Sequence, residues 1–266
     1  MIRVATAILT VAATGVAANE VAVEQVPLDA DVVVMGERHD IAQHHANQAA
    51  WVGRMGPSAI VFEMIPPDLG RTATDMVDAP AGELEAALAW VERGWTHFDA
   101  YHPIFEAAAD ARIYGAEVPR AALGAAMEDG AAAFMGRDAA TLGLDIPLPA
   151  AERAAREAEQ AEAHCGALPP EMLGGMVEAQ RVRDAVLART ALDALEQTGG
   201  PVAVITGNGH ARTDRGMPTY LSRARPDLEV IAIGQLLEPE AAAPYDVWVV
   251  SGTAGEDPGD PCAAFR

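Results

Sequence analysis

Apolar runs rich in β-branched residues recur along the chain at 31–36 (DVVVMG), 59–64 (AIVFEM), 113–118, 202–207 (VAVITG), 228–234 and 247–251. Short continuous runs of this kind, bounded by turn or helix-start residues, read as strands buried on both faces. Amphipathic stretches at 40–55, about 83–92 and 103–111 lie between the early runs. This alternation predicts an α/β domain with a mainly parallel central sheet flanked by helices. The rhythm breaks between about 121 and 200, where no strand is predicted. Ala-, Glu- and Arg-rich helical stretches at 121–136, 150–164 and 169–197 are punctuated there by Pro147, Pro149, Pro169 and Pro170. They predict a helical insertion packed over the sheet, and the charges of AAERAAREAEQAEA sit at the spacing of a solvated helix face. No repeat or low-complexity linker interrupts the chain.

The amino terminus has a different pattern. Arg3 precedes an uncharged run over 4–18 that ends in the small residues Val16, Ala17 and Ala18. This predicts a secretory signal peptide over 1–18, leaving a mature chain of 19–266; the alternative is a buried N-terminal helix. No cysteine lies near the expected cleavage point, so a lipid anchor is not expected, and no other run is long enough to span a membrane. The expected location is periplasmic or secreted. Two cysteines, Cys165 and Cys262, fit either one disulfide in an exported protein or two unrelated buried thiols.

Composition narrows the chemistry. The 266 residues carry 18 basic and 39 acidic side chains, a formal charge of −21. Removing 1–18 takes away Arg3 and no acid, so the mature chain has 17 minus 39, or −22. So acidic a surface repels phosphate backbones and argues against a nucleic-acid partner. All 18 basic residues are arginine, which excludes lysine Schiff bases and a P-loop lysine. The three serines, Ser58, Ser222 and Ser251, lie in no G-x-S-x-G elbow. Histidine, carboxylate, tyrosine or metal chemistry remains.

Ligands of open parallel sheets bind beyond the carboxyl ends of the strands. The first run ends in Gly36-Glu37-Arg38-His39-Asp40, the second in Glu63-Met64, the third leads to Glu117, Pro119 and Arg120, and VAVITG ends in Gly207-Asn208-Gly209-His210. Two histidines thus follow a glycine by three positions, and the glycines are expected to let the backbone turn sharply at the sheet's rim. His39, His210, Glu37 and Glu63 are candidate ligands of a divalent metal or candidate acid/base groups. Asn208 and Arg120 could hydrogen-bond an anion, with Arg38 and Arg212 as nearby cations. His44 and His45 open the next helix, with Gln48 a turn on. Tyr101 and His102 sit in an aromatic turn with Trp95 and Phe98, and both residue types are haem-iron ligands. A structural hydrogen-bond network is the plain alternative for the whole cluster.

These segments resemble the ChaN-like haem-binding proteins of the superfamily that includes Tiki and TraB. The resemblance spans the mature chain through VVVMGERHDIAQHHANQ, IVFEMIPPD, GWTHFDAYHPIFEAA, YGAEVPR, AHCGALPPEMLGGMVEAQRVRDAVLA and VAVITGNGHARTDRGMPTYL. It implies an exported, non-enzymatic protein of haem uptake, dimeric when haem-bound and served by a haem receptor or transporter. It also implies a tyrosine on the iron with histidines nearby. Tyr101 is the first candidate and Tyr220 the second, because Tyr114 and Tyr245 fall in expected strands; His102, His44 and His45 complete the set. The AHCG and DPC segments support pairing of Cys165 with Cys262. Family members are often lipoproteins, and the missing lipobox cysteine departs from that. The paired G-x-x-H motifs also resemble those of Tiki proteins and, at the first motif, erythromycin-esterase-like hydrolases. That rival reading is a metal-dependent hydrolase using Glu37, His39, Glu63 and His210.

Overall fold

The computed structural model describes residues 19–252 and residue 262, so the expected signal peptide lies outside the described residues. Its chain runs β1 (Asn19–Glu20), β2 (Val32–Glu37), α1 (Ala42–Met55), β3 (Ala59–Phe62), α2 (Gly70–Asp75), α3 (Ala81–Ala87), α4 (Phe98–Ala107) and β4 (Arg112–Gly115). There follow α5 (Arg120–Asp129), α6 (Ala131–Met135), α7 (Ala139–Leu142), α8 (Ala150–Ala163) and α9 (Pro170–Thr198). The last elements are β5 (Val202–Gly207), α10 (Asn208–Ala211), α11 (Met217–Ala224), β6 (Val230–Leu236) and β7 (Val247–Val250).

Seven strands form one sheet in the order β1-β7-β6-β2-β5-β3-β4, and every pairing is parallel. The α/β architecture with a parallel central sheet is therefore as the apolar runs predicted. All six residues of β2 and of β5 are buried, as strands covered on both faces must be. Alternate strand residues feed two cores. Val32, Val34, Val61, Val202 and Val204 pack with α5, α9 and α11 on one face, whereas Val33, Met35, Ile60, Phe62 and Ile205 pack with α1 and α4 on the other. The long α9 lays Val182, Ala185 and Ala188 on the first core, and α8 rides on α9 with no fully buried residue of its own.

Differences from the sequence reading have local causes. The 121–136 stretch breaks at Gly130, whose φ of 87° ends one helix and begins the next. The third strand stops at Gly115, so Glu117 lies in a loop. The helix expected from Pro103 begins at Phe98 and carries the proline inside it; buried Phe98, Tyr101, Ile104 and Phe105 outweigh the lost backbone bond. Cys165 and Cys262 are disulfide-bonded, with Cα atoms 5.6 Å apart. Among the described residues no helix is long and apolar enough to cross a membrane.

Candidate functional site

The two central strands pair in a register that sets Gly36 beside Thr206 and Glu37 beside Gly207. Both G-x-x-H motifs therefore leave the sheet side by side, and His39 and His210 share one rim. The glycines serve clearance, not the sharp turn expected of them. Gly207 is extended, with φ −63° and ψ 150°, and Gly36 is the fifth residue of a regular strand. A Cβ on Gly36 would stand 2.5 Å from Asn208 Oδ1 and 2.8 Å from the Ile233 carbonyl; one on Gly207 would stand 3.0 Å from His39 Nε2. Gly36→Ala is expected to lower stability by about 1–3 kcal/mol, because the Ile233 carbonyl is sheet backbone that cannot move aside and the Asn208 amide is held by its two bonds to Gln235. Equilibrium urea unfolding measures this, and an unchanged midpoint would contradict it.

Glu37 is the hub of the first half of the site. Its Oε1 accepts from His39 Nδ1 at 2.7 Å and from the Tyr101 hydroxyl, and its Oε2 accepts from His45 Nδ1 at 2.9 Å. His45 is itself placed by its Nε2 bond to the His39 carbonyl, 3.2 Å, and by the Tyr101 ring at 3.9 Å. Burial alone would raise the Glu37 carboxyl, but the two imidazoles outweigh it and hold the carboxyl at about 2. Burial works against charge on His39 too, yet Glu37 and Glu63 push it up to about 9. Burial and the adjacent Glu37 charge push the Tyr101 phenol well above its ordinary value.

The second half centres on Glu63 and His210. Glu63 Oε2 accepts from Thr206 Oγ1 at 2.7 Å and from the Gly207 amide at 2.8 Å. His210 turns Nε2 to Glu63 Oε1 at 3.5 Å and donates from Nδ1 to Asp184 Oδ1 at 2.7 Å. Burial opposes its charge, but Glu63 and Asp184 raise it. His39 Nε2 stands 4.0 Å from the same Glu63. Each histidine is thus oriented by a buried carboxylate on Nδ1, the arrangement that fixes the ring and makes Nε2 a good ligand.

Both histidines line a cavity of about 620 Å³ at the carboxyl ends of the strands, walled opposite by α8 and α9. Asn208 also lines it while its amide ties β5 to β6: Nδ2 donates to the Gln235 carbonyl at 2.6 Å and Oδ1 accepts from the Gln235 amide at 3.1 Å. Arg38, Arg212 and Arg215 stand at this cavity already paired with Asp40, Asp214 and Glu159.

Other candidates lie elsewhere. Tyr101 and Tyr220 are 1% and 2% exposed and line no part of the cavity. The Tyr101 hydroxyl points inward to Glu37, and a high phenol pKa in that position disfavours the tyrosinate that iron would require. His102 bonds the Ala79 carbonyl at 3.2 Å, away from the rim. His44 accepts from the Arg38 amide and donates to the Ser251 carbonyl; burial lowers its pKa and outweighs the Ser251 bond, which raises it. His44 and His45 therefore pin the loop that carries His39, while Gln48 donates to the Met35 carbonyl of β2 at 2.9 Å. Arg120 lines a separate, smaller cavity. The four-residue metal set is not assembled, because Glu37 occupies the Nδ1 side of His39 while Glu63 faces Nε2. Among the described residues no trio of His, Cys, Asp or Glu is arranged to hold a metal ion.

Asp184 is the residue sequence reasoning missed. It lies on α9 of the helical insertion, outside the 150–163 stretch whose charges read as a solvated face, and is 5% exposed. One signal could have found it: an acid on the α9 face that carries Val177, Ala185 and Ala188.

Fold and rim define an all-parallel α/β protein with paired histidine–carboxylate units over a strand-end cleft. The family model described as haem-binding uptake, Tiki superfamily, ChaN matches residues 25–221, and the chain belongs to this family. ChaN of Campylobacter jejuni, whose structure was solved with cofacial haem binding, is 20% identical over 83% of this chain and 87% of that one, with a TM-score of 0.63. The type III effector HopBA1 is 13% identical over 84% of this chain and 88% of that one, with a TM-score of 0.47. A succinoglycan biosynthesis protein is 12% identical over 83% and 72%, with a TM-score of 0.42. No curated protein matches the chain.

Proposed function

We propose that this protein is an exported haem-binding protein of haem uptake, with haem seated in the cleft between the strand ends and α8–α9. Family membership supports the haem-binding role. The observation that carries the placement is the pair of carboxylate-oriented imidazoles, Glu37–His39 and Asp184–His210, on the wall of one 620 Å³ cavity. The residues fit the group: a ligand pocket of this size suits a cofactor, and Arg38, Arg212 and Arg215 could exchange carboxylate partners with its acidic arms. Bound haem supplies an iron centre that takes axial nitrogen or oxygen ligands. This chain's part is to hold it, with His39 or His210 as the nitrogen donor, its raised pKa requiring that the Nε2 proton be given up on binding, and with Glu37, His45 and Tyr101 positioning His39. The dimer with a tyrosine on iron, which the family resemblance implies, would require Tyr101 to leave Glu37 or a change at Tyr220.

Titration of the purified chain with haemin tests this reading. A saturable Soret shift is expected, with affinity lowered at least about tenfold in His39→Ala or His210→Ala. No Soret shift would sink the haem reading; loss in Tyr101→Phe or Tyr220→Phe alone, with a tyrosinate-type spectrum, would move the ligand to tyrosine. Sedimentation of the haem-loaded protein reads the dimer. Export is supported by the pattern of 1–18, and a mature amino terminus at Asn19 in secreted or periplasmic material is its expected mark.

The hydrolase reading has one observation in its favour, the approach of both Nε2 atoms to Glu63. It expects stoichiometric divalent metal lost in His39→Ala or His210→Ala, which elemental analysis of the purified chain reads directly.

A further inference from the structure

A second cavity, of about 250 Å³, lies beside the first, and Glu63 belongs to both settings: it faces His39 and His210 and lines the smaller cavity. Three arginines line this cavity, Arg93 from the segment before α4, Arg120 at the start of α5, and Arg183 on α9. The acids there are Glu63 and Glu117. Glu63 is met by the two histidines, and Glu117 accepts from Arg93 Nη1 and from Trp95 Nε1. Among the described residues, Arg120 and Arg183 form no ion pair, and the buried Nη2 of Arg93 has no hydrogen-bond partner. The contrast with the larger cleft is plain, since Arg38, Arg212 and Arg215 there are each bridged to a carboxylate.

Arg120 and Arg183 bring guanidinium groups without acid partners to the cavity wall, and an oxyanion supplies acceptors in the geometry that arginine forks match. We infer that the smaller cavity is a binding site for a compact oxyanion, a carboxylate or phosphate group gripped by Arg120 and Arg183, with Arg93 and its partner Glu117 forming the wall beside them. The start of α5, which has no side-chain cap, adds the positive end of its helix dipole. The group has two sources of the same chemistry. It is either a free ion, or an acidic arm of the ligand held in the adjoining cleft; the second source rests on the haem reading above.

Calorimetric titration of the full chain with inorganic phosphate tests the site without haem. Saturable binding is expected, weakened at least about tenfold in the double variant Arg120→Gln/Arg183→Gln. Arg71→Gln, at a surface ion pair with Asp75 elsewhere, is expected to bind phosphate as the parent does. Arg120 is exposed and Arg183 half-buried, so both variants should fold, which thermal melts without phosphate check. The same proteins are then titrated with haemin, with and without phosphate. Phosphate binding that depends on the two arginines supports a free-ion site. Haemin affinity that falls in the double variant and is competed by phosphate supports an arm of the cleft ligand. The inference is overturned if neither phosphate binding nor haemin affinity responds to the substitutions. Failure of the haem reading is distinguishable, as absence of any haemin binding while the phosphate result stands.

Discussion

Glu37→Ala is expected to destabilise the folded protein by about 3–5 kcal/mol, the cost of leaving a buried polar network without its shared partner. Glu37 is 1% exposed, and its removal leaves the Tyr101 hydroxyl and His45 Nδ1 with only their longer contacts, to His39 Nδ1 at 3.2 Å and to Gln48 Oε1 at 3.5 Å. Glu37→Gln keeps the volume but not the charge, and the His39 pKa is expected to fall from about 9 towards its ordinary value, as read by NMR titration. A Glu37→Ala midpoint in urea within experimental error of the parent would show that the network contributes nothing to stability. The same hub sets a pH dependence. The Glu37 carboxyl is depressed from 4.5 to about 2, so its contribution is present above 4.5 and lost as pH falls towards 2. His39 is raised from 6.5 to about 9, so its contribution is present below 6.5 and lost as pH rises towards 9. Stability from this pair is therefore greatest between about pH 4.5 and 6.5, and denaturant midpoints in Glu37→Gln should lose that maximum.

Cutting the Cys165–Cys262 disulfide is the second large effect, expected to cost about 2–4 kcal/mol for a bridge closing a long loop. The two cysteines are 97 residues apart in sequence. The consequence should be local as well as global. Cys165 lies two residues past α8, which fully buries none of its residues and is held to α9 by contacts such as Arg153 with Glu178 at 3.0 Å. Arg156, Glu159 and Gln160 of that helix form one wall of the larger cavity. In Cys165→Ala/Cys262→Ala, amide exchange over 150–163 is expected to quicken before that of β2 or β5, and haemin affinity to weaken with it. Equal exchange in parent and variant would mean that α9 alone holds the wall.

Much of the fold was legible because it rests on short-range pattern. A strand covered on both faces must be a continuous apolar run, and β5 coincides with VAVITG over 202–207. The rim residues Glu37, His39, Glu63 and His210 were visible for the same reason, since each lies at the end of such a run or within a few positions after it. The roles of Tyr101, His44 and Asn208 were not. A tyrosine in an aromatic turn is the same sequence signal whether its hydroxyl meets a ligand or a buried glutamate 64 positions away. Asp184 was hidden because helix periodicity marks which face is apolar but not which single acid on it will find a partner, here 26 positions further on.

The sequence by itself determined the α/β class, the helical insertion and the strand-end position of the histidine–carboxylate cluster, and it excluded lysine chemistry. Those are consequences of composition and of periodicity within a dozen residues. Only the tertiary structure decided that the two G-x-x-H motifs stand side by side, through the register of β2 on β5. It also decided that their glycines give room instead of turns, that both tyrosines face inward, and that three arginines from separate elements surround one small cavity. The physical reason is the same in each case: pairing register, clearance and charge partnership are relations between segments far apart in the chain, and no local pattern encodes them.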